Sequence, residues 1–344
     1  MSVRRRVFAA VAGAAGVAAA GVAVGVARQR RGIGRREDHP TPFGSLRSRP
    51  TTVVADDGVP LHVEVDEAES PVTVVFAHGY ALNLDCWHFQ RALLRGRVRT
   101  VFYDQRSHGR SGRSAPGHAT IDQLGTDLLQ ILDDVVPDGP VVLVGHSMGG
   151  MAIVALAEQH PELFGDRVVG VGLVSTTAGG LDPSRVLLPM LPARIGGGLT
   201  HRTVWTLALG HRAVDGLRRV GRSVAMVATD LFAFGDEVPP AYVDFVDDML
   251  SSTPFEVVAE FFPSFRGLDK FHAVEVLSRV PTTIICGTAD RLTSIGHSRK
   301  LHERIAGSRL VEYERAGHMV LLERHDQVNA ELEALLGSAG VRPS

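Results

Sequence analysis

Gly145-His146-Ser147-Met148-Gly149 is a G-x-S-x-G pattern set between an apolar run, Val141–Val144, and a helical run that opens at Gly149. A serine on a tight strand-to-helix turn is held in a strained backbone conformation that projects its hydroxyl from the sheet. Strand and helix pass close together at such a turn, so the residues two before and two after must be small. Gly145 and Gly149 meet that need, and Gly150 adds room. The helix N-terminus also favours negative charge that develops beside it. These are the requirements of a nucleophile that attacks an acyl carbon. The bland alternative is a Gly-rich turn with an incidental serine; the strand before and the helix after weigh against it.

A serine hydroxyl needs a base, and the base needs an orienting acid. Ala316-Gly317-His318-Met319 follows a β-type run, and that position singles out His318 among fifteen histidines. Asp290, in Gly287-Thr288-Ala289-Asp290, follows the run Thr282–Cys286 and is the expected acid. Its alternative role is a turn or N-cap residue, and Asp269 is the fallback acid. The chain order Ser147, Asp290, His318 matches a nucleophile-elbow fold and not the two unrelated triad orders. A second strand-end motif, His78-Gly79-Tyr80, puts the backbone N–H of Tyr80 where it can join the N–H of Met148. Two such donors would hold the oxyanion of a tetrahedral intermediate. His78 itself reads as structural.

With the loop Asp104-Gln105-Arg106-Ser107-His108-Gly109-Arg110-Ser111, these motifs resemble the α/β-hydrolase superfamily, in its capped, esterase- or lipase-like form, over roughly Thr51 to Leu336. The resemblance implies a mostly parallel eight-stranded sheet with helices on both faces and an inserted helical cap. It implies a serine hydrolase that cleaves a carboxylic ester or related acyl bond through an acyl-enzyme, with no cofactor. Relatives with an aspartate nucleophile, the haloalkane dehalogenases and epoxide hydrolases, are excluded by Ser147. Three alternatives stay open: cofactor-free haloperoxidase-like perhydrolysis, C–C bond hydrolysis on the same triad, and a non-enzymatic binding protein with this fold. Asp104 and Arg106 are structural in this family. Ser107 stands where the family loop usually has Gly.

The elements that must position these residues follow from the apolar pattern. Thr51–Asp56 and Leu61–Asp66 are β-type runs joined at Asp57-Gly58, a hairpin signal. Val72–Ala77, Val98–Asp104, Val141–Gly145, Val168–Ser175, Thr282–Cys286 and Arg309–Tyr313 are short strands. Ile121–Val136, Gly149–Gln159 and Leu322–Leu336 carry helical spacing. Such alternation predicts a mostly parallel sheet covered on both faces. The hydrolase core is expected over 51–175 and 276–338. A helical cap is expected over 176–275, where no clear strand appears. Its Phe255, Phe261, Phe262, Phe265 and Phe271 fit either a lipophilic substrate or ordinary packing.

Residues 1–50 form a separate object. Val7–Ala27 has no charge and contains ten Ala, six Val, four Gly and Phe8. As a helix it would cover roughly 30 Å, one hydrocarbon core. Three arginines precede it and five follow, so it is expected to be a single-pass anchor through residues 7–27, with the body on the cytoplasmic side. Two readings compete with it: a cleaved export signal, with Arg5-Arg6-Val7-Phe8 as a twin-arginine start and Gly25-Val26-Ala27 as the cleavage site, and an Ala-rich tail with no membrane role. Arg28–Pro50 is expected to be a linker.

The formal charge of −2 conceals an asymmetry, because the first 36 residues hold eight arginines and no acid. The acidic remainder argues against nucleic acid as a partner. With 44% hydrophobic and 22% charged residues, disorder is excluded for most of the chain. The two cysteines, Cys86 and Cys286, exclude a disulfide scaffold and a cysteine-based zinc cluster. No phosphate-loop or zinc-protease motif is present, so no metal is expected. The expected partner is a small-molecule acyl substrate; the oligomeric state stays open.

Overall fold

A computed structural model describes residues 25–37, 41–181 and 222–340. Eight strands form one sheet: β1 Pro50–Val54, β2 Pro60–Asp66, β3 Thr73–Ala77, β4 Arg99–Tyr103, β5 Val141–His146, β6 Val168–Val174, β7 Thr282–Gly287 and β8 Arg309–Tyr313. Their order is β1-β2-β4-β3-β5-β6-β7-β8. β2 pairs antiparallel with β1 and with β4, and every other pair is parallel. The antiparallel edge and the parallel body are those expected from the hairpin and the short apolar runs.

Helices cover both faces because successive side chains of a strand point to opposite sides. On β3, Val74 and Phe76 join one core cluster, while Val75 and Ala77 join the other. On β5, Val142 and Val144 part from Val141 and Leu143 in the same way. One face packs against α2 (His88–Leu94), α9 (Val320–Glu323) and α10 (His325–Ser338), through Leu94, Leu321 and Leu335. The other packs against α3 (Ile121–Val135), α4 (Met148–Gln159) and α8 (Ile295–Arg304), through Leu128, Ile153 and Leu301. The single closing helix expected over Leu322–Leu336 is thus two, α9 and α10. The pattern also missed α2 and α8.

Between β6 and β7 the chain leaves the sheet for an inserted helical cap. Its described helices are α5 (Arg222–Ala233), α6 (Pro240–Ser252) and α7 (Phe255–Arg266). The phenylalanines divide. Phe261 and Phe265 pack with Met148 and Met151 of α4, while Phe271 lies in the core under Lys300, whose Nζ is 3.7 Å from the ring centroid.

The N-terminal expectations need correction. Residues 1–24, most of the expected span, lie outside the described residues. Among the described residues no helix is long and apolar enough to cross a membrane, so neither the single-pass anchor nor the cytoplasmic placement it implied is supported. The physical reason is that residues 25–27, the end of the expected span, belong to a helix over residues 25–33, α1, that closes on the body. Val26 packs against the core, Ile33 is fully buried, and Gln29 donates to Asp230 of α5 at 3.0 Å. The supposed cleavage site, Gly25-Val26-Ala27, is part of that helix.

The expected linker is likewise a packed strap. Arg36 forms a fork on Asp230 at 2.6 and 3.0 Å. Phe43 stacks on Phe245 of α6 at 4.2 Å and meets Tyr242 and Phe89 edge-on. Arg47 pairs with Asp85, and the Ser48 N–H donates to Glu64 Oε2 at 3.0 Å. These partners are scattered along the chain, which is why no sequence period announced them.

Candidate active site

β3 and β5 are neighbours in register, with Ala77 opposite Gly145. The chain leaves β3 toward β4 on one side, while β5 lies on the other. This is a switch point in strand order, where open α/β sheets leave a crevice at their carboxyl ends. Residues 78–80 and 146–148 emerge there side by side.

Ser147 occupies the turn between β5 and α4 at φ 51° and ψ −115°, a conformation that L-residues rarely adopt. Its N–H donates to Val174 O at 2.9 Å, and its carbonyl accepts the Thr176 hydroxyl at 2.6 Å. The flanking glycines are required by contact. A Cβ at Gly145 would lie 2.5 Å from Gly150 N, and one at Gly149 would run into the carbonyl of Ala77. Ser147 is 8% exposed, and His318 and Asp290 are buried with it.

Asp290 follows β7 and does two jobs. Its Oδ1 accepts the N–H groups of Leu292 and Thr293 at 2.8 and 3.0 Å, which is the turn role expected as its alternative. Its Oδ2 accepts His318 Nδ1–H at 2.9 Å. The Thr293 hydroxyl lies 2.7 Å from Ser175 O and 2.9 Å from Asp290 Oδ2, with one proton to share between them. Asp269, the fallback acid, bridges to Gly179 through its backbone; the described side chains at His318 Nδ1 are Asp290 and Thr293.

Tyr80 lies in the turn after β3, where its hydroxyl donates to Val258 O of α7 and its ring meets Phe265 at 4.8 Å. Met148 is the first residue of α4, and the first N–H groups of a helix have no intrahelical acceptor. Both residues therefore border the crevice beside Ser147.

Three buried histidines surround the site in neutral form. His78 accepts the Gln105 N–H on Nε2 at 2.9 Å and donates from Nδ1 to Gly79 O at 2.7 Å. Burial pushes its pKa down to about 4, and that of His108 down to about 3. His146 is pushed well below the usual range, again by burial and then by neighbouring His318. Its Nε2–H donates to the His318 carbonyl at 3.1 Å, and the two rings are 4.8 Å apart. The residue before Ser147 thus touches the loop of His318. Sequence reasoning missed His146, because any residue satisfies the x of G-x-S-x-G.

The family loop after β4 is structural. Asp104 accepts the N–H groups of Leu84 and Arg110 at 2.8 and 2.9 Å, and fully buried Arg106 grips Asp57 and Asp127. Ser107, where Gly is usual, takes φ 66°. Its Oγ accepts the Ser114 N–H at 2.9 Å, a bond that glycine could not make and that offsets part of the strain. Among the described residues no cluster of His, Cys, Asp or Glu has the arrangement of a metal site.

The model of the alpha/beta hydrolase family matches residues 74–331, and the chain belongs to that family. The 3-oxoadipate enol-lactonase 2 of Acinetobacter baylyi is 26% identical over 287 residues, covering 83% of this chain and 96% of that protein. The enol-lactonase structure from Burkholderia xenovorans is 27% identical, covers 83% of this chain and 100% of its own, and superposes with a TM-score of 0.64. An esterase from Exiguobacterium antarcticum is 22% identical over 84% of this chain and all of its own, with a TM-score of 0.67, and shares the fold.

Proposed function

We propose that the chain is a serine hydrolase acting on a carboxylic ester or lactone through an acyl-enzyme. The observation that carries this reading is the 2.9 Å bond from His318 Nδ1 to Asp290 Oδ2, made one loop away from a serine in a strained turn. In this reading Asp290 fixes the imidazole so that Nε2 is a free acceptor. Ser147 Oγ attacks the carbonyl carbon while His318 takes its proton. The carbonyl oxygen becomes an oxyanion held by the N–H groups of Tyr80 and Met148. Collapse breaks the bond to the leaving alcohol, which receives the proton from His318. Water then repeats the sequence on the acyl-enzyme and releases the acid and Ser147. No cofactor enters these steps.

Met148, Met151, Phe261 and Phe265 form an apolar cluster with Tyr80 beside the serine, which favours a lipophilic acyl or alcohol group. The enol-lactonase relatives support including lactones. Turnover on a panel of p-nitrophenyl esters of rising chain length and of lactones, with and without peroxide, tests the proposal. Hydrolysis lost in Ser147→Ala supports it. Activity only with peroxide would move the reading to perhydrolysis, and no turnover with any acyl compound would sink it.

A further inference from the structure

Glu323 is a buried carboxylate five residues after His318, with its side chain fully shielded from solvent. Its Oε2 accepts the N–H groups of Gly317 at 2.8 Å and Gly235 at 3.1 Å. Its Oε1 accepts the Asp236 N–H at 2.9 Å. The Arg324 guanidinium is 3.8 Å away. A buried carboxylate is costly unless its lone pairs are filled. Burial pushes its pKa up, against the pull of those three donors and Arg324.

The donors come from two places. Gly317 directly precedes His318, whereas Gly235 and Asp236 form the corner where the cap leaves α5. Corner and loop touch through backbone, since a Cβ at Gly317 would lie 2.5 Å from Gly235 N. His318 is thus held on every side. Glu323 holds the N–H before it, His146 holds its carbonyl, and Ala233 O accepts the next N–H, that of Met319, at 2.8 Å. Outside the corner, Asp236 pairs with Arg315 at 2.6 Å and Arg324 at 3.3 Å.

We infer that Glu323 is a positioning residue for the proposed reaction: it ties the cap corner Ala233–Asp236 to the His318 loop, so that seating the cap sets the imidazole beside Ser147. The inference rests on the assignment of Ser147 and His318 made above. It predicts that cap and base cannot move independently, and that a substrate which seats the cap improves the base.

The test separates positioning from plain stability by reading the rate and the endpoint of fluorophosphonate labelling, together with kcat and KM. Glu323→Gln keeps the shape but turns an amide NH2 toward one of the backbone N–H groups. It should label to the same stoichiometry as the parent, with labelling rate and kcat about tenfold to a hundredfold lower, because misplacement by about 1 Å costs up to about 10²-fold. KM should change little. Glu323→Ala should be slower still; if it fails to fold, the Gln variant decides. Full labelling at the parental rate would overturn the inference. So would a reduced endpoint with a parental rate in the folded fraction, which marks a purely stabilising residue. A parent that does not label at all would instead overturn the serine assignment, and the inference with it.

Discussion

At the elbow, backbone meets backbone. Gly145 and Gly149 are fixed by strand and helix atoms that leave no volume for a Cβ. In the strap over residues 25–37 and 41–49, side chain meets side chain: Ile33 in the core, Arg36 on Asp230, Phe43 among Phe89, Tyr242 and Phe245. The first region tolerates one residue type at each critical position. The second divides its hold among several contacts of about 1–2 kcal/mol each. The chemistry proposed for this protein sits in the intolerant region, and the tolerant one touches the cap through Asp230, Tyr242 and Phe245.

That contrast fixes the expected sizes of perturbations. Ser147→Ala should lower ester hydrolysis by about 10⁶-fold at an unchanged melting temperature, as loss of a triad nucleophile does; turnover assays with thermal melts check it. Asp290→Asn should cost about 10³–10⁴ in kcat because the imidazole loses its orienting acceptor. A near-normal rate would move the acid elsewhere. Gly149→Ala should destabilise by about 3 kcal/mol or more, since its methyl meets a strand carbonyl that cannot yield. Urea unfolding measures that, and a tolerated methyl would break the contrast from the elbow side.

The strap should respond by degrees. Asp230→Ala leaves the Arg36 fork and Gln29 without their acceptor and should cost about 2 kcal/mol. Phe43→Ala should cost about 1–2 kcal/mol. In both variants limited proteolysis should nick the cap helices before the sheet domain. Cleavage of cap and core at the same rate would show that the strap does not act on the cap.

Acid sharpens the comparison last. His78 and His108 have folded pKa values near 4 and 3, below the ordinary 6.5, so the folded protein binds fewer protons than the unfolded chain in that window. Their contribution is complete above about pH 6.5 and is lost as pH falls toward 4 and then 3. Glu64 adds to the loss lower down. Although burial raises its pKa, hydrogen bonds from His62, the Ser48 N–H and Arg91 hold it at about 2, so its contribution fades from about pH 4.5 toward 2. Melting temperature against pH should fall through this range, and a flat profile from pH 6.5 to 4 would contradict neutral buried histidines.

The same contrast explains what could be read from the residues in advance. The elbow, the strand ends and the Asp290–His318 hydrogen bond are legible because tight backbone turns, and the oriented base proposed for this site, each demand particular residue types at particular places. The sheet is legible because β3, β5 and β6 are mostly apolar runs and β7 carries the β-branched and apolar residues Thr282 to Cys286. Helix α8, which contains Arg299, Lys300, His302 and Arg304, was missed because it has few apolar residues to mark a buried face. The strap looks like a linker in the sequence because its anchors are single residues, and the partners of Arg36 and Phe43 lie about fifty to two hundred positions away. The Ala- and Gly-rich N-terminus resembles a membrane span in length and lack of charge, although such residues are only weakly hydrophobic. Glu323 carried no pattern at all, since its three donors come together only in the folded chain.

The site of a covalent adduct tests the role of Ser147 most directly. Full-length protein is treated with a fluorophosphonate, digested, and its peptides are mapped by mass. A single modified residue, Ser147, is expected, with labelling absent in Ser147→Ala and strongly slowed in Asp290→Asn. An adduct on any other serine, or equal labelling of the Ser147→Ala protein, would contradict it.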